Sequence, residues 1–339
     1  MVQKIPKMNC LITGGAGFIG SHLAEKLLNN ENNTVWVVDD LSTGSRDNIS
    51  SLLNNGRFHF TEGSILNERL VEELVDRCEV VYHLAAAVGV KYVMENLITS
   101  MKINIEGSEN VLRAASRDNK RVLLTSSSEI YGKNEDYPFH EESDRILGPP
   151  TKLRWSYSCS KAIDEFLAIA YHKEKGLPVV VVRLFNVSGP RQTGAYGMVI
   201  PRFVNQALKG EPITVYGDGK QIRSFIHVKD VIHGLVSLME SDKTDGEIFN
   251  LGSSQPVRIS DLAQTVKRLT GSKSEIEYLP YEKVYGRNFE DLRFRVPDIS
   301  KIHETIGFSP TLSLEDIVRE VIEYYKTNGS RYRCVKDSS

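Results

Sequence analysis

The chain has 339 residues, 40% of them hydrophobic and 25% charged, with 42 Lys and Arg against 44 Asp and Glu. That length suits one large domain or two smaller ones sharing a core, and the composition is that of an ordinary water-soluble globular protein. A net charge of −2 argues against a nucleic-acid or membrane surface as the main partner. No apolar run approaches a membrane span, and the N-terminus lacks the apolar core of a signal peptide. The four cysteines (Cys10, Cys78, Cys159, Cys334) show neither paired nor metal-ligand spacing, which implies reduced thiols in a cytoplasmic protein. The eight histidines are scattered, so a metal site has little support.

In chain order, residues 8–13 (MNCLIT) form a short apolar run that breaks into Gly14-Gly15-Ala16-Gly17-Phe18-Ile19-Gly20. An apolar-periodic segment over 18–28 follows, and a second apolar run over 34–38 (TVWVV) ends in Asp39-Asp40. Strand, glycine turn, helix, strand and acid in that order are the dinucleotide-binding βαβ fingerprint. The glycines serve the tight turn, the approach of backbone N–H groups to a pyrophosphate, and close packing of helix on sheet. Phosphates then sit on the positive end of the helix. Asp39, placed to accept from the adenosine ribose, would repel a 2′-phosphate, so the expected cofactor is NAD rather than NADP.

Residues 41–51 are polar and turn-like. Residues 57–61 read as a strand, 67–76 as a helix, and 79–84 (EVVYHL) as a strand buried on both faces. The small residues Ala85-Ala86-Ala87 beyond Leu84 would let a cofactor lie against that strand end. A single long helix is predicted over 92–116, a strand over 121–126, a helix over 156–175 and a sixth strand over 178–184. The alternation implies an α/β fold, a doubly wound parallel sheet with ligands at the carboxyl ends of its strands. From Gly189 onward, short strands, turns and helices over 199–208, 260–269 and 314–325 suggest a smaller C-terminal α/β substrate domain. The expected division is 1–188 for the dinucleotide domain, with 224–252 returning to it, and 189–223 with 253–328 for the second. Residues 329–339 read as a flexible tail.

Two clusters fall at predicted strand or helix ends where such a fold does its chemistry: residues 125–132 (TSSSEIYG) and 157–161 (YSCSK). Tyr157 and Lys161 are four apart and share a helix face. A phenol with a pKa near 10 is a poor base, but an adjacent ammonium favours the phenolate. A serine hydroxyl from the strand end could orient an alcohol oxygen. Catalytically silent dinucleotide-binding proteins often lose Tyr or Lys, and both are present here.

At this point the chain resembles the extended short-chain dehydrogenase/reductases that modify nucleotide sugars. The resemblance runs from Asn9 to about Tyr325. It rests on Thr13 to Gly20, His83-Leu-Ala-Ala86, Asn104 in NIEGS, Ser126 to Gly132, Tyr157-x-x-x-Lys161 and Arg183-Leu-Phe-Asn-Val-Ser-Gly-Pro190. It implies NAD as cofactor, Tyr157 as base with Lys161 as its partner, and Ser127 as the orienting hydroxyl. It also implies Ile65 and Asn104 near the cofactor, and Asn186, Val199, Tyr216, Arg223 and Arg295 near a sugar diphosphate. Ser64 departs from the pattern, since many relatives carry an aspartate there. The shared first step is oxidation at sugar C4. Dehydratases of this kind usually carry Asp-Glu after the orienting hydroxyl, whereas Ser128-Glu129 here resembles UDP-glucuronate decarboxylases. So do Arg154-Trp-Ser-Tyr157 and the segment YGRNFEDLRFRVP (285–297). The implied reaction is decarboxylation of UDP-glucuronate to UDP-xylose, with 4-epimerisation of UDP-glucuronate or UDP-glucose as the alternative, and the implied assembly is a homodimer.

Overall fold

A computed structural model describes residues 8–194, 197–286 and 290–328, with the Val90 side chain excepted. Six strands form in the predicted places: β1 (Met8–Thr13), β2 (Asn33–Asp39), β3 (Phe58–Glu62), β4 (Val80–His83), β5 (Arg121–Ser127) and β6 (Val179–Leu184). Together with the strand Ile248–Leu251 they make a seven-stranded sheet in the order Ile248–Leu251, β6, β5, β4, β1, β2, β3, every pair parallel. The winding reverses between β1 and β4, the point at which an open parallel sheet presents a ligand crevice.

The sheet is apolar on both faces because both are covered. Cys10 and Ile12 of β1 enter one core cluster and Leu11 the other; Val180 and Val182 of β6 separate from Val179 and Val181 in the same way. That is the period of two expected of a strand packed on both sides. The first face is covered by helix α1 (Phe18–Leu28) and by the helix Val228–Glu240. The second is covered by α2 (Glu68–Asp76), α4 (Leu97–Arg117) and α5 (Trp155–Lys175). A further apolar cluster joins the helices Val199–Lys209, Ile259–Thr270 and Leu314–Asn328 to the strand Ile213–Tyr216.

One expectation fails here. The single helix predicted over 92–116 is two, α3 (Val90–Glu95) and α4, divided at Asn96, whose backbone leaves the helical region at φ −131° and ψ 48°. Its side-chain amide donates to the Tyr92 carbonyl at 3.1 Å, the local competition with helical bonding that Asn is prone to. The predicted tail lies outside the described residues.

The glycine turn brings backbone against backbone. Gly14 has φ +72°, and a Cβ there would lie 2.8 Å from the Ala85 nitrogen at the end of β4. A Cβ on Gly20 would sit 2.3 Å from the Gly14 carbonyl oxygen and 2.7 Å from the Gly15 Cα. Since both obstacles are backbone, Gly20→Ala must push α1 off the turn, at an overpacking cost of about 1–3 kcal/mol. The expected outcome is a lower Tm and weakened dinucleotide binding, read by calorimetry and by titration with the cofactor; an unchanged Tm would refute the close-packing account.

Candidate active site

Two adjoining cavities open at the carboxyl ends of the strands. The first, about 340 Å³, is lined by Gly14, Gly17, Phe18, Ile19, Gly20, Asp39, Ile65, Leu84, Ala85 and Ala86, and at its far end by Ser127, Tyr157 and Lys161. Its chemistry fits a dinucleotide. The N-terminus of α1 has no side-chain cap, so its first N–H groups remain donors for a phosphate. The only atom near a Cβ on Gly17 would be the Gly14 oxygen, at 3.1 Å, so this glycine leaves room above the turn. Asp39 lines this cavity beside the glycine turn. It accepts from the backbone N–H groups of Ala16 and Leu41, each at 2.9 Å, which ties the acid to the turn. Burial pushes its carboxyl up, against those two bonds. Arg46, the nearest cation along the chain, is spent on Glu62 at 2.7 Å.

At the junction of the two cavities, helix α5 presents Tyr157 and Lys161. Burial pushes the Tyr157 phenol up, the Lys161 ammonium and a hydrogen bond with Ser127 pull it down, and the Glu129 carboxylate raises it again. Ser127 is fixed by accepting from the Glu129 N–H at 3.2 Å. Lys161 is 2% exposed and donates to Asp164 at 2.7 Å. Burial disfavours its ammonium, but Asp164 and Tyr157 outweigh that and hold it above the usual lysine range.

The second cavity, about 290 Å³, is lined by Asn186, Val199, Tyr216, Arg223 and Arg295, together with Ser127, Glu129 and Tyr157. Its wall carries four guanidiniums, Arg154, Arg202, Arg223 and Arg295, against two carboxylates, Glu129 and Asp291. Glu129 accepts from Arg154 at 3.0 Å and from Arg295 by a shorter bond. Asp291 accepts from Arg154 at 2.9 Å, from Arg223 at 3.1 Å and from the Tyr281 hydroxyl. Burial alone would raise both acids; the guanidiniums reverse the sign, lowering Glu129 and bringing Asp291 to about 2. Asn186 accepts from Arg295 at 3.0 Å and donates to the Ser224 carbonyl at 2.7 Å. The Arg202 guanidinium lies 3.7 Å from the centre of the Tyr216 ring.

Two expected site residues stand apart from the cavities. Ser128 is buried and lines neither of them, as follows when successive residues leave a strand end on opposite sides. Asn104 lines neither either. Its amide accepts from the Ala87 N–H at 2.8 Å and donates to Ser160 at 3.0 Å, so it ties the end of β4 to α5 from behind. Four wall residues carried no sequence expectation of their own: Arg154, Arg202, Tyr281 and Asp291. Arg154 and Asp291 do stand in the segments that carry the resemblance, but nothing in their spacing pairs two groups 137 positions apart. Arg287 to Phe289 of that second segment lie outside the described residues.

The family model described as GDP-mannose 4,6 dehydratase matches residues 11–321. The chain belongs to that family, within the extended short-chain dehydrogenase/reductases that modify nucleotide sugars. Among its relatives, a UDP-N-acetyl-alpha-D-glucosaminuronate decarboxylase of Bacillus cytotoxicus is 43% identical, covering 94% of this chain and 98% of the relative. UDP-glucuronic acid decarboxylase 3 of Arabidopsis thaliana is 38% identical over 92% of this chain and 87% of its own. Among solved structures, the UDP-glucuronic acid 4-epimerase of Bacillus cereus, in complex with UDP-glucuronic acid and NAD, superposes with a TM-score of 0.85 at 32% identity. It covers 94% of this chain and 99% of the epimerase.

The acid network has a signed consequence for stability. Asp291 sits at about 2 in the fold, against roughly 3.9 for an unfolded aspartate. Its contribution is therefore complete above the unfolded value and lost as pH falls through the folded one. Asp291→Asn leaves Arg223 short of its carboxylate and is expected to cost about 3 kcal/mol near neutrality. The gap from wild type should narrow as pH is lowered toward about 2, as urea unfolding across that range will show.

Proposed function

We propose that the chain is an NAD-dependent decarboxylase of a UDP-linked hexuronate, with UDP-glucuronate giving UDP-xylose as the reference reaction. NAD, which the residues of the first cavity would hold, would supply the acceptor for the C4 hydride and its later return. Tyr157 removes the C4 hydroxyl proton, helped by Lys161, while Ser127 orients the oxygen. The product is a β-keto acid: the C5–C6 bond breaks, CO₂ leaves, and the electron pair passes into the ketone. C5 then takes a proton from solvent, Tyr157 returns its own proton to the C4 oxygen as the ketone is reduced, and one proton is consumed overall.

The observation that carries this reading is the Glu129–Arg295 pair beside Tyr157, on a wall with more guanidiniums than carboxylates. A diphosphate and a uronate together bring about three negative charges to that wall. Arg295 lines both cavities and is held by Asn186 as well as Glu129, so it is placed to meet a carboxylate next to the reacting carbon. Glu129, kept ionised by two arginines, places a negative charge where loss of the substrate's own carboxylate as neutral CO₂ relieves repulsion. A fixed carboxylate clamp also resists the turning-over of the keto sugar that epimerisation requires. Two relatives named as decarboxylases of UDP-linked uronates cover nearly all of the chain, which supports the same reading.

The 4-epimerase reading is favoured by the Bacillus cereus structure, and a 2-acetamido uronate as the substrate is favoured by the Bacillus cytotoxicus relative. One experiment separates them. UDP-glucuronate and its 2-acetamido counterpart are incubated with the protein, and the products are resolved by chromatography with CO₂ trapping. Decarboxylation gives UDP-pentose and CO₂ in equal amounts; UDP-galacturonate without CO₂ would replace the reading by epimerisation. Tyr157→Phe should retain fold and NAD content and lose at least about a hundredfold in rate.

We further infer a homodimer built on α4 and α5, in a reducing compartment such as the cytoplasm. The support is the apolar surface these two packed helices leave to solvent, with Ile98 76% and Phe166 69% exposed beside Met101 and Ile163. The free thiols of Cys10, Cys78 and Cys159 support the compartment. Among the described residues no helix is long and apolar enough to cross a membrane. Light scattering at micromolar concentration should give twice the chain mass, and Phe166→Glu should shift it toward the monomer.

A further inference from the structure

Asp164 takes no part in the steps above, yet its carboxylate is the charged group bonded to the Lys161 ammonium. It lies one turn beyond Lys161 on α5, fully buried, and accepts from Lys161 Nζ at 2.7 Å. From sequence, Lys161 had a single partner, the Tyr157 phenol; the fold gives it an anion as well. Burial raises its carboxyl, while the Lys161 ammonium and then Ser108 of α4 favour the ionised form; its Oδ1 has no hydrogen-bond partner among the described residues. Ser108 Oγ is 3.0 Å from His83 Nε2, and His83 Nδ1 is 2.8 Å from Thr13 Oγ1 at the end of β1. Burial drives His83 down to about 3, so its ring is neutral and adds no charge. A buried polar chain thus runs from Thr13, before the glycine turn, through His83 to Ser108 of α4.

The other charged groups that face the pair are already matched. Glu129, after β5, is held by Arg154 and Arg295, and Glu165, on α5, is held by Arg145 and Arg183. Among the described residues Asp164 is therefore the anion whose charge is set against Lys161 alone.

We propose that Asp164 is a positioning residue that fixes the Lys161 ammonium and offsets part of its charge, so that the Tyr157 phenol keeps its proton whenever the neighbouring nicotinamide is uncharged. The inference rests on Tyr157 being the base. Its use in the cycle is specific. With an oxidised nicotinamide bound, its positive charge would add to that of Lys161 and Tyr157 would give up its proton more readily when the C4 proton must be taken. With that added charge gone, the Asp164 offset would keep the proton on Tyr157 through the loss of CO₂ until the ketone is reduced. An ammonium without a counter-ion would favour the phenolate at both stages.

The test needs no sugar nucleotide. Ionisation of Tyr157 is followed by tyrosinate ultraviolet absorbance in the protein with and without NAD, with Tyr157→Phe as the blank. Asp164→Asn keeps the shape and removes the charge; the Tyr157 midpoint should move toward acid by about one pH unit or more in both states. Asp164→Ser removes the same charge while leaving a hydroxyl that can accept from Lys161, and should move the midpoint the same way. If Asp164→Asn does not fold, the Asp164→Ser shift decides. A midpoint that stays put or moves toward alkali in the folded variants overturns the proposal and leaves Asp164 a structural ion-pair partner. Failure to turn over any UDP-hexuronate would instead overturn the proposed reaction and leave this titration standing.

Discussion

The contact on which the site depends is the Glu129 carboxylate held between Arg154 and Arg295. Its two partners lie 25 and 166 positions away, one at the start of α5 and the other in the C-terminal part of the chain. Ion pairs this deep are poor sources of net stability, because each ion surrenders its hydration, but removing one partner is costly since the other is left buried and uncompensated. That asymmetry turns the network into a register mark. The segment bearing Asp291 and Arg295 can seat against α5 and the end of β5 in one way only if every charge is to be matched. Asn186 reinforces the seat by bonding both Arg295 and the Ser224 carbonyl.

A second brace lies beneath it. Arg183 of β6 donates to Glu165 at 2.9 and 2.8 Å, to the Tyr131 hydroxyl at 2.8 Å and to the Glu141 carbonyl at 2.7 Å. Ser126 and Arg145 complete the shell around Glu165, at 2.6 and 2.7 Å. Glu165 stands four residues beyond Lys161, so the brace fixes the rotation of α5 about its axis. Tyr157 and Lys161 point at the cavity junction because Glu165, on the same helix, is tied to the sheet. Tyr157 and Lys161 owe the precision of their placement to this buried cluster.

The parts of the molecule that were legible in the sequence are those with short-range causes. β1, α1 and β2 lie where the apolar runs and the glycine turn place them, because period, turn and packing agree within about thirty residues. The residues of that turn line the first cavity for the same reason. The break at Asn96 was hidden because a single Asn is tolerated inside a helical pattern, and only the structure shows its side chain competing for the Tyr92 carbonyl. Asn104 and Ser128 mark a different limit: a motif gives the neighbourhood of a residue but not the side from which its side chain acts. Arg154 and Asp291 mark a third, since their pairing is a product of tertiary assembly and leaves no periodic trace.

The charge arithmetic of the second cavity unites these observations. Four guanidiniums face two carboxylates without a ligand, and both carboxylates are held ionised although burial favours their neutral forms. The wall therefore keeps its excess of positive charge across the physiological range, and no proton has to move to prepare it. A polyanion entering such a wall replaces water with donors already in place, so little reorganisation is left for the reacting carbon to wait on. The same fixed ions that make the empty site expensive to bury make its field constant during reaction. Tyr157 thus stands beside a wall whose charge stays the same across that range.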